Sequence, residues 1–193
     1  GPMAYMHHRL LWNPELEIND LRQEYFSAFG PAASQIEEYF DYWEKYASTR
    51  PAISEVSSAL EKLRRPRGHA LAFPPRVYRP AQAILEKALQ AARQDPLPEF
   101  AQRVKFLQAG LQHALLTTHV YEFLDYDGPE AELGTAPLND LAKLTQARDA
   151  MQELIKFRHD PLNRFVSSYI DNAIVEQYFI RNIEALFKKD SPD

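Results

Sequence analysis

The chain has 193 residues, 45% of them hydrophobic, and a formal charge of −5 from 22 basic and 27 acidic side chains. That length suits one domain with a sizeable core, and the charge balance offers no global attraction to nucleic acid or to an anionic membrane. Cysteine is absent, which excludes disulfides and thiolate metal sites, and no apolar run reaches the roughly 18 residues of a membrane span.

Gly1-Pro2-Met3 has the character of a cleaved expression tag, so residues 1–3 are set aside and 4–193 are read as a single helical domain. "AYMHHRLLW" reads as the end of a helix that Asn13-Pro14 breaks, with Trp12 plugging the turn. Asn19 is the expected N-cap, and Ile18 the staple residue, of a helix from Asp20 to Phe29. Gly30 suits the left-handed position after that helix, and Pro31 opens the next one. The following helix places Ile36, Phe40, Trp43 and Ala47 on one stripe.

From Ser48 to Pro80 the pattern weakens. Prolines interrupt it, a weak helix spans Ser54 to Leu63, and the basic run Lys62 to Arg67 reads as a solvated linker. Pro74-Pro75 prevents His69–Phe73 from being a central strand. Ala81, Ile84, Leu85, Ala88, Leu89 and Ala92 then recur at helical spacing. Phe100, Val104, Leu107, Leu111, Ala114 and Thr118 make a long seam, with Leu107 and Leu111 expected in the main core. Asp95 to Pro98 is short enough to make these two helices antiparallel neighbours. Asp125 to Pro137 reads as a polar loop. A helix from near Pro137 carries Leu141, Leu144, Met151 and Ile155, and a last one ends near Phe187. The expected fold is all-α: a bundle of about five to seven helices with antiparallel hairpins.

Chemistry is sparse. The histidines form no HExxH pair; His7 and His8 diverge by about 100° on a helix, and His113 and His119 by about 120°, so no metal site is expected. Glu37, Glu38, Asp41 and Glu44 cluster on one helix, whereas glycosidic chemistry draws paired carboxylates from converging elements; they read as a solvated face. Asp125 to Glu132 lacks the later glycine and the terminal glutamate of a calcium loop. Nucleophile elbows and phosphate loops are missing. The expectation is no catalytic residue and no cofactor. Aromatic rings remain: Tyr42 and Tyr46 flank the core stripe and are the candidates for stacking on a sugar, as against simple packing.

"LLWNPELEINDLRQEYFSAFGPAASQIEEYFDYWE" resembles a segment of a family of bacterial glycoside-hydrolase-like proteins. The matching residues are Leu11 to Pro14, Tyr25-Phe26, Phe29 to Ala33 and Tyr39-Phe40. "PPRVYRPAQAILEKALQAA" and "FAQRVKFLQAGLQHALLT" are similar to that family's paired helices, which carries the resemblance from residue 4 to about 120. The family's FYGPAA is FGPAA here. In that family a (β/α)8-type barrel of unknown function, related to α-glucuronidases and hexosaminidases, precedes a helical domain.

The resemblance implies that residues 4–12 are the tail of a barrel helix and that the chain is a non-catalytic accessory domain bracing its own upstream barrel, with glycan as a further contact. It also implies an exported or periplasmic setting. The alternative is a helical interaction or oligomerisation module that self-associates through its apolar N-terminal helices. Neither reading involves nucleic acid or a membrane.

Overall fold

The computed structural model describes residues 1–49, 73–124, 141–163 and 166. Six α-helices occur among them: α1 (Pro2–Trp12), α2 (Ile18–Ser27), α3 (Ala33–Ser48), α4 (Tyr78–Ala92), α5 (Pro98–Leu124) and α6 (Leu141–His159). Two single 3-10 turns, Gly30–Ala32 and Pro75–Val77, lead into α3 and α4. No strand occurs among the described residues, and the fold is an all-α helical bundle. The expected loop after Asp125, the weak helix after Ser54 and the last helix lie outside the described residues.

The chain divides into two compact units, Gly1–Arg50 with Arg79–Gln108, and Pro51–Tyr78 with Ala109–Asp193. In the first, α1 ends at Asn13, whose backbone turns extended while its N–H still bonds the Arg9 carbonyl. The Asn13 side chain then accepts from the Glu15 N–H at 3.1 Å, an Asx turn that carries the chain past Pro14. Helix α2 begins earlier than its sequence suggests. Glu17 is the residue before it, no side chain caps it, and Asn19 already lies inside it. Ile18 is exposed, so the expected staple does not form.

Gly30 adopts φ +54°, the left-handed conformation expected for it. It also meets a second demand: a Cβ there would come within 2.6 Å of the Phe100 ring. Helix α3 buries Ile36 and Tyr39, whereas Phe40 and Trp43 of the expected stripe are half-buried and Ala47 is exposed. The expected stripe therefore stops short. The reason is length: α3 has 16 residues and α2 only 10, so α2 runs out before the last turns of α3. Arg22 marks the pairing, reaching Glu37 at 3.0 Å and Asp41 at 2.6 Å.

Rings knit this unit together. Tyr25 lies 5.6 Å from Tyr5, 5.7 Å from Phe29 and 5.9 Å from Phe40, centroid to centroid, so one residue of α2 meets α1, the hinge and α3. The inclined and edge-on geometries are those that aromatic quadrupoles favour. Helix α4 buries Ala81, Ile84, Leu85, Ala88 and Ala92 on the face expected for it, and Val104 of α5 is fully buried.

In the second unit, Leu116 and Val120 of α5 form a cluster with Met151 and Leu154 of α6, with Ala150, Ile155 and Phe157 packed against it. Leu111 is buried as expected, but Leu107, which belongs to the first unit, is only half-buried. Leu107 stands about 60° round the helix from Val104, at the flank of the seam. Thr118 is fully buried, and its hydroxyl lies 2.8 Å from that of Tyr78. Tyr78 opens α4 and Thr118 is near the end of α5, so the two helices run antiparallel across their short Asp95–Pro98 connection.

Candidate functional site

Helix α1 has two unlike faces. Tyr5, Met6, Arg9 and Leu10 are buried or half-buried, and Arg9 pairs with Glu24 of α2 at 2.7 Å while also donating to the Tyr5 hydroxyl at 3.1 Å. The Glu24 carboxylate raises the Arg9 guanidinium above its ordinary pKa through that hydrogen bond. The opposite half of the cylinder, by the 100° step per residue, carries Met3, Ala4, His7, His8, Leu11 and Trp12, all exposed. Met3 is 75% exposed, Leu11 67% and Trp12 91%. The face contains no Asp, Glu, Lys or Arg. A surface helix ordinarily turns charge outward, and here apolar residues take that place. Trp12 does not plug the turn as expected: it is the last residue of α1 and nearly fully exposed.

His7 and His8 stand 6.1 Å apart, ring centroid to centroid. No group of three metal-ligating side chains occurs among the described residues, and no described helix is long and apolar enough to cross a membrane.

The second candidate surface is the far half of α3. Tyr42, Trp43 and Tyr46 are each half-exposed. They form a ladder in which Trp43 meets Tyr39 at 6.4 Å, Tyr42 at 5.2 Å and Tyr46 at 6.0 Å, all near edge-on. Burial raises the Tyr42 hydroxyl above its ordinary pKa, with Tyr46 a lesser cause. Tyr42 and Tyr46 are thus brought together on one edge, but as flanks of Trp43 instead of as a pair set apart from it. Trp43, expected in the core, shares that edge.

The acidic cluster of α3 is partly spoken for. Glu37 and Asp41 both accept from Arg22, and its hydrogen bonds to Asp41 and then Glu37 hold the Arg22 guanidinium above its ordinary pKa. Carboxylates engaged in this way hold α2 on α3. Reading the sequence missed Arg22, although a lone arginine about one turn into the facing helix was a usable signal. It also missed how much apolar surface α1 exposes, which the 180° arc of Met3, Leu11 and Trp12 would have revealed.

Compared with known proteins, the chain matches no family model, and no curated protein or solved structure is similar enough to match it.

Proposed function

We propose that this chain is a non-catalytic accessory helical domain of a carbohydrate-active, glycoside-hydrolase-like protein, seated against a neighbouring barrel through the outer face of α1. The observation that carries the reading is the exposure of Leu11 and Trp12 on a helix face without Asp, Glu, Lys or Arg. Apolar patches rimmed by polar residues mark interaction surfaces, and large rings such as Trp12 are the residue type that anchors them. The resemblance in Leu11 to Pro14 supplies the occupant: α1 would be the element that continues from the barrel. Tyr42, Trp43 and Tyr46 are the surface proposed for glycan. One or two stacked rings are worth a few kcal/mol at most, which corresponds to affinities of about millimolar to high micromolar.

The test is hydrogen exchange of α1 in the chain alone and in the protein carrying the barrel. The reading expects protection of residues 2–12 only in the second. Equal exchange in both would overturn it. The second reading, self-association through the same face, rests on the same arc and predicts a sedimentation coefficient that rises with concentration and falls back on Trp12→Ser. On either reading the chain by itself hydrolyses no glycoside, and turnover of an aryl glycoside abolished by a single Glu or Asp substitution would refute that.

A further inference from the structure

His113 and Arg158 belong to neither surface. His113 stands on α5 in the second unit, half-buried, and the Nε–H of Arg158, one residue before the end of α6, donates to its Nε2 at 3.0 Å. The chemistry of this pair fixes a protonation state. A guanidinium has five N–H donors and no acceptor, so His113 Nε2 must offer a lone pair. The imidazole is therefore neutral, with its proton on Nδ1. Protonation would turn Nε2 into a second donor and set a cation against a cation.

The surroundings reinforce this. The Phe157 ring lies 6.2 Å from the imidazole, and Phe157 packs against the Leu116, Val120, Met151 and Leu154 cluster. On α5 itself, the Thr117 hydroxyl donates to the His113 carbonyl at 2.8 Å, so the backbone beneath the ring is held too. The charged group that acts on the imidazole is Arg158, a cation.

We propose that His113 and Arg158 form an acid-sensitive clasp, which fastens α6 to α5 while the imidazole is neutral and opens when it takes a proton. Burial first, and Arg158 second, lower His113 to about 4 from an ordinary 6.5. The sign follows from that direction. In the unfolded or detached state the imidazole takes its proton near 6.5, in the clasped state only near 4. The clasp's contribution is therefore fully present above about pH 6.5 and is lost progressively as pH falls through the interval down to about 4.

Two measurements on the full chain test this. Long-range 15N–1H spectra across pH 7.5 to 4.5 should show one imidazole that stays in the Nδ1–H tautomer until well below about 6.5, and its signal should vanish in His113→Gln. A His113 ring bearing its proton on Nε2 at neutral pH, or taking a second proton near 6.5, overturns the proposal without any variant having to fold. The second measurement is hydrogen exchange of α6, corrected for intrinsic rates. In the native chain, exchange of residues 151–159 should rise about tenfold or more between pH 7 and 5. In His113→Gln, whose amide oxygen still accepts from Arg158 but takes no proton in this range, the rise should disappear. Parallel pH profiles in the two proteins would show that the opening, if any, has another cause.

Discussion

The two units solve the same problem with different side chains. In the first, α1, α2 and α3 have 11, 10 and 16 residues, and helices this short offer few buried positions each. Tyr5, Tyr25, Phe26, Phe29, Tyr39 and Phe40 fill them with rings, the side chains that bury most area per residue. In the second, the latter part of α5 and the 19 residues of α6 afford enough turns for Leu116, Val120, Met151 and Leu154 to build a core. Orientation there comes from polar pins, Tyr78 to Thr118 and Arg158 to His113. The short helices are ordered by ring geometry, and the longer ones are pinned by one buried and one half-buried hydrogen bond.

Substitutions can break this contrast. The largest effect should come from Phe26→Ala, which removes a buried ring touching Tyr25 and Phe40. It should cost about 3–5 kcal/mol and, by hydrogen exchange, release α1, α2 and α3 together. Leu154→Ala in the second unit should cost about 2–5 kcal/mol and release α6, with α1 to α3 unchanged at low denaturant. If both variants loosen every helix equally, the units do not behave as separate cooperative bodies.

Gly30→Ala should cost about 2–4 kcal/mol in thermal or urea unfolding. Part of that is the positive φ, and part the displacement of the Phe100 ring from 2.6 Å. A cost below about 1 kcal/mol would mean that the ring moves freely and that the hinge is not tightly packed.

Smaller effects sharpen the contrast. Tyr78→Phe leaves the buried Thr118 hydroxyl without its 2.8 Å partner and should cost about 1–3 kcal/mol, whereas Tyr78→Phe with Thr118→Val should recover much of the loss. A double variant no better than the single one would remove the hydrogen bond as the reason for a threonine in that seam. Smallest is Arg22→Ala. The side chains of its pair with Glu37 and Asp41 are a third to half exposed, so the loss should be about 0.2–1 kcal/mol and shrink with added salt.

Most of the architecture was legible because helical periodicity is local. Of the expected α4 face, Ala81, Ile84, Leu85, Ala88 and Ala92 are buried and Leu89 is half-buried, and Gly30 took the backbone conformation assigned to it. The expectations that failed depended on how far a neighbour extends. Trp43 and Ala47 lie on the correct arc of α3, but α2 ends before covering them. Leu107 fits the seam spacing yet sits at its flank. Trp12 beside Asn13-Pro14 suggested a plug, because a large ring at a helix end usually finds cover, and none of the described residues provides it. For Tyr42 and Tyr46, the spacing correctly put them on one edge but could not show that Trp43 would stand between them. His113 and Arg158 are 45 positions apart, and no pattern in a single sequence links two residues at that distance.

The chain's two tryptophans occupy different environments, one bare and one half-covered by rings, which makes them a built-in pair of optical probes. Trp12, 91% exposed, should emit at long wavelength and be readily quenched by iodide. Trp43 has Tyr39, Tyr42 and Tyr46 within 6.4 Å, so light absorbed by those phenols should pass to its indole and leave little tyrosine emission from that cluster. Trp12→Phe would leave Trp43 to report the melting of α3 alone. Trp43→Phe would leave Trp12 to report whatever comes to rest on the outer face of α1, by a shift of its emission to shorter wavelength.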